Sequence, residues 1–429
     1  MRSLVFTKLL AVVIVCAGAQ AGAQRSLDWP SWRGPNRDGR SPDTGLLRQW
    51  PAGGPRLLMT ARNLGAGFSS VAISGGRIYA MGDRKGAQQL IALSESDGRE
   101  LWSLRVGPVW DDEYAGPRGT PAISDGMIYA IGTDGDLVAV DAASGKERWR
   151  KHLERDFGGR MMSSWRFAES PLVDGDRIIV TPGGRDAIMA ALDKRTGREI
   201  WRAAMGSFQS RGPEGAGYAS AVISNGGGVK QYIQLVGKGV ISVRASDGYF
   251  MWGYGRVANG TANIPTPIVS GDHVFASSGY GTGAALLKIN PQGDRTTAEE
   301  VYFLNPGTFQ NHHGNMVLVN GTLYAGHGHN QGFPIAIDFA SGKVLWGGRL
   351  RNAGQGSAAV SYADGHLYFR YQNGVMMLIE ATPDGYREKG SFEIPNVRNP
   401  SWSHPVIING RLYLREQDAL YVYDVRENS

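Results

Sequence analysis

Five of the eight histidines, at positions 312, 313, 327, 329 and 404, could share one chemistry. His312 and His313 are adjacent, His327 and His329 follow one short segment later, and His404 lies near the end. Imidazoles that converge can bind a transition metal or act as general acid and base. Neighbouring side chains of an extended chain point in opposite directions, so we expect that His312 and His313 do not both ligate one ion. We favour a hydrogen-bonded loop network over a metal site.

The elements that must position these residues form a repeat of roughly 50 residues. Each unit has two apolar runs joined by a turn such as Asp-Gly or Asn-Gly, then a loop and a third run. Eight units are recognised by their first hairpins, which span 70–82, 121–132, 171–182, 221–237, 267–279, 316–326, 358–371 and 405–415. The sequence therefore predicts an all-β fold, an eight-bladed β-propeller whose four-stranded blades surround a channel.

The eighth unit is short of one strand. Its third run covers 419–425 and the sequence ends at Ser429, while the run 56–60 precedes the first hairpin and has no blade of its own. We predict that residues 55–62 form the outer strand of blade eight, which closes the ring and removes an exposed edge. Residues 24–54 would be a strap laid across the propeller, and 24–429 one domain.

The first 23 residues have the pattern of a secretory signal peptide. Arg2 and Lys8 are followed by a short apolar run, and Ala21-Gly22-Ala23 fits a cleavage site. Cys16, the one cysteine, falls inside this segment and lacks the small preceding residue of a lipobox. We expect an exported bacterial protein, periplasmic or extracellular, without disulfides, thiolate chemistry or a transmembrane segment.

The amino-acid composition further narrows the classes of protein to which the chain could belong. Gly accounts for 61 of 429 residues and the apolar fraction is 42%, which favours many tight turns and a buried core over disorder. The formal net charge is +6 and no Lys/Arg run stands out, so we expect no nucleic-acid partner. We expect a monomer.

Polar and aromatic residues stand just before the first strand of each unit or in the loop after its second strand. In a propeller these segments share one face, so their side chains are predicted to ring a funnel at the channel mouth. The candidate funnel residues are Arg118, Trp165, Glu169, Arg185, Tyr218, Asn263, Tyr280, Asn311, His312, His313, Gln355, Trp402 and His404.

Three units carry the complete motif Ala-x-Asp-x-x-x-Gly-x-x-x-Trp, and two carry part of it. The complete copies are Ala139/Asp141/Gly145/Trp149, Ala191/Asp193/Gly197/Trp201 and Ala336/Asp338/Gly342/Trp346; the partial ones are Gly98/Trp102 and Gly248/Trp252. One unit between Trp252 and Trp346 lacks its Trp. These units resemble the tryptophan-docking repeats of the pyrroloquinoline quinone (PQQ) propeller superfamily, which includes quinoprotein alcohol dehydrogenases and the assembly lipoprotein BamB. The opening at residues 29–39 and the segment 311–314 look like those of a subgroup of exported PQQ-like proteins.

The resemblance implies that each Trp packs between neighbouring blades and that its indole N–H bonds across the gap. The motif Asp and Gly residues would then shape turns and take no part in catalysis. The resemblance also implies two candidate cofactors, PQQ and Ca²⁺. Glu169 and Asn263 could offer Ca²⁺ a carboxylate and an amide oxygen. Together with three residues of the histidine cluster, they make up the candidate metal ligands: His312, His327, His329, Glu169 and Asn263.

The same resemblance leaves the activity open. Arg118 and Arg185 could meet the quinone's acid groups, and Trp165 or Trp402 could stack on its ring. Against this, the chain has neither a vicinal disulfide nor a haem motif, and Asp186 is a weak substitute for a catalytic base. We therefore favour a scaffold that binds a small molecule or a protein at the channel face. The alternatives are a PQQ/Ca²⁺-dependent dehydrogenase acting on an alcohol or sugar, and a hydrolase or lyase using the histidine cluster.

Overall fold

The structure, a computed structural model, describes residues 27–398 and 400–427. The predicted signal peptide and Cys16 lie outside these residues. Eight four-stranded antiparallel sheets follow one another along the chain, so the predicted eight-bladed propeller is confirmed. In each blade the first strand lies innermost, and first strands of successive blades neighbour each other around the channel. No helix in the described ranges is long and apolar enough to cross a membrane.

The first four blades are formed by consecutive strands. Blade one contains β2 (Ala72–Ser74), β3 (Arg77–Arg84), β4 (Ala87–Ser94) and β5 (Glu100–Gly107); blade two β6 (Ala122–Ser124), β7 (Met127–Ile131), β8 (Asp136–Asp141) and β9 (Glu147–His152); blade three β10 (Leu172–Asp174), β11 (Arg177–Val180), β12 (Met189–Asp193) and β13 (Glu199–Ala203); blade four β14 (Val222–Ser224), β15 (Gln231–Val236), β16 (Gly239–Arg244) and β17 (Phe250–Tyr254). A short helix, α1 (Leu153–Phe157), follows blade two.

The remaining blades complete the ring. Blade five contains β18 (Ile268–Ser270), β19 (His273–Ser278), β20 (Gly283–Gln292) and β21 (Arg295–Leu304); blade six β22 (Met316–Val319), β23 (Thr322–His327), β24 (Phe333–Asp338) and β25 (Val344–Gly347); blade seven β26 (Ala358–Ala363), β27 (His366–Tyr371), β28 (Val375–Glu380) and β29 (Glu388–Glu393); blade eight β30 (Val406–Ile408), β31 (Arg411–Glu416), β32 (Ala419–Asp424) and, from the other end of the chain, β1 (Arg56–Ala61).

Ring closure follows the predicted route. β1 pairs antiparallel with β32, in register from Arg56 opposite Asp424 to Ala61 opposite Leu420, with one bulge. Arg415 reinforces the junction from β31, because its buried guanidinium donates to the carbonyls of Gly65 and Met81 beside blade one. Backbone pairing and a buried charge-assisted contact together remove the free edges that an open ring would expose.

The motif tryptophans dock as the resemblance implied. The indole Nε1 atoms of Trp102, Trp149, Trp201 and Trp346 donate to backbone carbonyls of the next blade at 2.7–3.2 Å. The motif glycine makes room for the ring: a Cβ on Gly145, whose φ is +73°, would lie 2.6 Å from the Trp102 ring. Blade five, which lacks the Trp, uses Tyr302, whose hydroxyl donates to the Phe339 carbonyl at 2.8 Å.

Residues 27–55 form the strap ahead of β1 and cross the channel. Trp29 exchanges backbone hydrogen bonds with Ile73 of blade one, and Ser41 and Gly39 do so with Tyr362 of blade seven. These contacts lie toward the ends of the innermost strands that lead into the first hairpin turns. From there Arg37 reaches into the channel and donates to the carbonyls of Ser170 and Pro171 at 2.8 and 3.0 Å. The strap therefore closes one end of the channel.

The docking bonds can be tested with a matched pair of tryptophans. Trp149 donates to the Lys194 carbonyl at 3.0 Å, whereas the buried Nε1 of Trp252 has no partner among the described residues. Both Trp→Phe variants lose ring volume, but only Trp149→Phe loses a hydrogen bond. We expect Trp149→Phe to lower the free energy of unfolding by about 1 kcal/mol more than Trp252→Phe, measured by urea denaturation. Equal losses would show that the bond adds nothing beyond packing.

Candidate functional site

A cavity of about 330 Å³ lies at the channel end opposite the strap contacts, where the loops that precede the innermost strands meet the loops that follow the second strands. Aromatic rings form much of its wall. Trp402 is the centre of one group, with ring centroids 5.0 Å from Phe68, 4.8 Å from Tyr114 and 4.6 Å from His313. Trp165 packs edge-on against Tyr218 in another part of the wall, at 6.1 Å.

The strap supplies the cavity floor. Trp32 projects up the channel, donates from Nε1 to the Thr266 hydroxyl at 3.2 Å, and meets the His404 ring edge-on at 4.6 Å. Below it the Arg33 guanidinium donates to the Met316 carbonyl at the start of blade six. These groups lie across the channel and form the base of the cavity. The sequence predicted the strap but not Trp32 as a wall residue.

Four imidazoles lie in the wall: His312, His313, His329 and His404. The His312 ring lies 4.3 Å from that of His313 and 4.2 Å from that of His329. Burial lowers the pKa of His313 and His404 to about 3, and burial lowers the pKa of His312 and His329 as well. These rings are therefore neutral at pH 7 and act as hydrogen-bonding groups without charge.

His312 is held on both sides. Its Nδ1 bonds to the Ser357 hydroxyl at 2.7 Å and its Nε2 to the Tyr280 hydroxyl at 3.1 Å. Ser357 is buried outside the cavity wall, so this bond orients the ring and does not present a nucleophile to the cavity. The favoured hydrogen-bonded network thus describes His312, with both of its nitrogens engaged.

The adjacent histidines do not point in opposite directions. The backbone bends at His313 and Gly314, and Asn315 has a φ of +58°, so the segment is not extended. Both rings consequently line the same cavity, because the alternation of side chains holds only for extended backbone. The contact between the two rings is a local result of this bend.

Hydroxyl groups link the blades beneath the aromatic wall. The amide of Ser70 donates to the Thr120 hydroxyl, that of Thr120 to the Ser170 hydroxyl, and that of Ser170 to the Ser220 hydroxyl, at 2.8–3.2 Å. Ser170 and Ser220 also line the cavity. Each hydroxyl precedes an innermost strand, so one repeat position both joins neighbouring blades and gives the wall a polar surface.

Arg118 is the one Lys or Arg side chain in the cavity wall, as far as the described residues show. Its guanidinium lies 4.3 Å over the Trp110 ring and donates to the Tyr114 carbonyl at 2.8 Å. Burial lowers the pKa of Arg118 to about 10, so the group stays charged at pH 7. The wall also contains one acid, the exposed Glu113.

The structure brings eight of the thirteen candidate funnel residues to this cavity: Arg118, Trp165, Tyr218, Tyr280, His312, His313, Trp402 and His404. It places the other five, Glu169, Arg185, Asn263, Asn311 and Gln355, outside the wall. Arg185 and Gln355 are exposed elsewhere on the surface. Asn311 is buried and donates to the Asn315 and Gly326 carbonyls. These positions are corrections to the predicted ring.

Glu169 and Asn263 are engaged in the scaffold. The two carboxylate oxygens of Glu169 accept hydrogen bonds from the Thr181 amide and hydroxyl at 2.7–2.8 Å, and one accepts from Gln234 at 3.1 Å. The Asn263 amide donates to the carbonyls of Val236 and Gly237, and its oxygen accepts from Ser278. A sequence pattern cannot distinguish a polar residue that is hydrogen-bonded inside the scaffold from one that binds a ligand, because both stand just ahead of an innermost strand.

This arrangement does not fit Ca²⁺ or PQQ. The oxygens of Glu169 and Asn263, which were expected to ligate Ca²⁺, accept hydrogen bonds from protein donors. His327 lies outside the cavity wall, and its Nδ1 accepts from the Gln310 amide at 3.2 Å. Across residues 27–398 and 400–427, no group of three or more His, Cys, Asp or Glu side chains is placed to hold a metal ion. A planar tricarboxylate would meet a single guanidinium in the wall.

Several wall residues were not predicted. Besides Trp32 they include Glu113, Tyr114, Asn315 and Gln372. Glu113 and Tyr114 belong to the link between blades one and two, and the cluster Trp-Asp-Asp-Glu-Tyr at 110–114 is the sequence signal that could have indicated them. The sequence places the loop of His329 on the ligand face and makes His329 a candidate metal ligand. Its Nδ1 instead accepts from the Tyr280 amide at 3.4 Å.

The fold and the cavity define a β-propeller with an aromatic, mostly uncharged recess at its channel mouth. A family model described as outer membrane protein assembly factor BamB matches residues 88–347, which is more than half of the chain. The chain belongs to this family of PQQ-like propellers.

Individual relatives divide between two functions. A quinohemoprotein alcohol dehydrogenase, ADH IIB of Pseudomonas putida, is 32% identical over 154 residues, covering 32% of this chain and 21% of the relative. The outer membrane protein assembly factor BamB of Kangiella koreensis is 27% identical over 194 residues, covering 42% and 43%. The matches thus span less than half the length of these relatives.

Solved structures agree on the fold. The BamB structure from Moraxella catarrhalis superposes with a TM-score of 0.60 at 15% identity, covering 87% of this chain and 98% of the other. The quinohemoprotein alcohol dehydrogenase from Comamonas testosteroni gives 0.64 at 13% identity, covering 95% and 82%. At such identities the likeness shows an eight-bladed propeller and not a shared activity.

Glu169 gives a pH prediction. Burial raises its pKa from 4.5 to about 7, so the folded chain retains a proton that the unfolded chain loses between these pH values. Stability from this group is therefore present below pH 4.5 and falls by about 3 kcal/mol as pH rises to 7. The Glu169→Gln variant replaces the titratable carboxyl with an amide of the same size, which does not titrate.

The buried histidines have lowered pKa values and act in the opposite direction, so the difference between wild type and Glu169→Gln is the quantity to follow. We expect urea unfolding at pH 4.5, 5.5, 6.5 and 7.5 to show the variant gaining stability relative to wild type with rising pH. A constant difference would mean that Glu169 has an ordinary pKa.

Proposed function

We propose that this chain is an exported propeller that binds a small molecule in the channel-mouth cavity without transforming it. The observation that carries the proposal is the cavity floor: Trp32 from the strap lies across the channel, so the recess has a base as well as walls. Its volume of about 330 Å³ lies at the lower end of the range for small-molecule sites, and its mixture of aromatic rings with a few polar groups is typical of them.

A protein partner at the same face is the other form of the scaffold interpretation. BamB relatives are named as outer membrane protein assembly factors, which suggests protein binding for those proteins. A concave recess favours a small ligand, because a protein surface would have to insert a side chain or loop to fill it. We further propose that residues 1–23 direct export to the periplasm or the exterior and that the mature chain is a monomer.

A dehydrogenase activity has weaker support here. The similarity to quinoprotein dehydrogenases supports this activity. However, Glu169 and Asn263, which were expected to hold Ca²⁺, are hydrogen-bonded inside the blades. Glu113, the acid in the wall among the described residues, is exposed, and Asp186 lies outside the wall. A general base must reach the proton it removes, and no buried carboxylate of the described wall is placed to do so. The neutral histidines could accept protons, yet both nitrogens of His312 are already bonded.

Filling the cavity tests the proposal. Ala168 lies in the wall, and Ala168→Phe would occupy part of the recess. Ala143 is exposed in the turn after β8, so Ala143→Phe adds the same ring elsewhere. We expect a thermal-shift screen of small metabolites to identify a ligand whose affinity for Ala168→Phe is at least tenfold weaker, while Ala143→Phe binds as wild type does, both by calorimetry. The proposal would be contradicted if the screen found no ligand, or if the ligands that it found bound both variants equally.

The dehydrogenase alternative has its own test. We expect titration of the purified chain with PQQ to give no Ca²⁺-dependent binding, because the candidate Ca²⁺ ligands already accept or donate within the scaffold. Calorimetry with and without Ca²⁺ measures this directly. Tight binding that requires Ca²⁺ and is lost in Glu169→Ala, with the thermal melt otherwise retained, would instead support a quinoprotein and justify a dye-linked alcohol and sugar assay.

A further inference from the structure

Charge in the cavity wall is sparse: among the described wall residues, Arg118 and the exposed Glu113 are the charged side chains. Four imidazoles in the wall are neutral at pH 7, and the aromatic rings and hydroxyls carry no charge. Arg118 is therefore the single fixed positive charge among the described wall residues. A ligand with several acid groups would leave most of them without a cation, at a high cost in desolvation.

Arg118 has no anionic partner in direct contact. Within the described residues, no carboxylate oxygen lies within 4.0 Å of its guanidinium, which donates to the carbonyls of Tyr114 and Gly116. Among the buried arginines, Arg370 meets Glu416 at 2.7 Å. Arg33, Arg37 and Arg415 instead donate to backbone carbonyls, as Arg118 does, but they lie outside the cavity wall. Asp83 and Glu113 lie in the neighbourhood, but Asp83 accepts from the Trp110 amide, and burial raises the pKa of Asp83 to about 6.

The surroundings of Arg118 present ring faces. The carbonyl that it bonds belongs to Tyr114, which packs 4.8 Å from Trp402. A second aromatic pair, Trp165 and Tyr218, lines the same cavity. The cation therefore shares the cavity wall with two aromatic pairs. Its planar N–H fork remains suited to bidentate contact with a carboxylate.

Resting on the proposed function, we infer that the ligand is a six-membered-ring monocarboxylate, with its carboxylate on Arg118 and its ring against Trp402 or Trp165. One carboxylate matches one guanidinium, and the ring matches the aromatic walls. A cavity of about 330 Å³ has room for one substituted ring and not for a long oligomer. The ring could belong to an aromatic acid or to a sugar acid, since both present a flat apolar face to an aromatic side chain.

The test compares acids with their neutral amides. The purified wild-type chain is titrated by calorimetry with benzoate and benzamide, and with glucuronate and glucuronamide. We expect the acid of at least one pair to bind at least tenfold more tightly than its amide, because a charge-assisted bidentate contact is stronger than a neutral one. The pair that responds identifies the source as an aromatic acid or a sugar acid.

Variants assign the effect to Arg118. Arg118→Met should abolish the preference for the acid, Arg118→Lys should retain part of it, and Arg211→Met, which removes an exposed arginine outside the wall, should retain all of it. Thermal melts compare the folding of the three variants. If Arg118→Met proves unstable, the result for Arg118→Lys and the acid–amide comparison in wild type still decide the question.

Three outcomes would overturn the inference, and they differ in whether the proposed function survives. If an acid and its amide bind equally, the carboxylate is not recognised, although the cavity still binds ligands and the proposed function survives. If neither member of either pair binds, the inference fails; the proposed function fails with it only if the metabolite screen with Ala168→Phe also finds no ligand. A preference for the acid that persists in a folded Arg118→Met variant would likewise exclude Arg118 as the anchor.

Discussion

The pairing of β1 with β32 is the constraint on which the rest of the structure depends. It joins two segments from opposite ends of the chain within one sheet, and so closes eight blades into a ring. Closure also decides where the preceding residues go. β1 is the outer strand of blade eight, and residues 27–55 lead into it along the chain. These residues reach blade eight by crossing the channel. The cavity floor is thus a consequence of ring closure.

Within the ring, blades one, two, three and five are each bonded to the next blade by a repeated device. An aromatic side chain packs over a glycine in a turn of the following blade and donates to a nearby carbonyl. Tyr302 shows that the device tolerates a change of residue, because its hydroxyl reaches the Phe339 carbonyl as an indole would. The motif tryptophans and their glycines are consequently scaffold, and chemistry must be sought at the other end of the blades.

There the cavity combines a rigid wall with little charge. Burial keeps the histidines neutral, and bonds to Ser357 and Tyr280 hold His312 in place. The same burial makes an unpaired cation expensive, which is why Arg118 stands out in such a wall. A recess of this kind suits recognition of one polar group on an apolar ring. Relatives that are dehydrogenases and relatives that are assembly factors share the frame, so the wall and not the frame must explain what binds.

The sequence by itself determined the eight units, the closing strand and the presence of a strap, because each rests on local signals: turn residues at fixed offsets, apolar runs and a count of strands. It also indicated eight of the cavity residues, since their place ahead of an innermost strand or in the loop after a second strand puts them on one face. Only the tertiary structure decided that Trp32 is the floor, that Glu169 and Asn263 are bonded inside the blades, and that both ring nitrogens of His312 are engaged. These outcomes depend on which way each side chain turns and which distant carbonyl or hydroxyl it meets, and such contacts between blades have no trace in the local pattern.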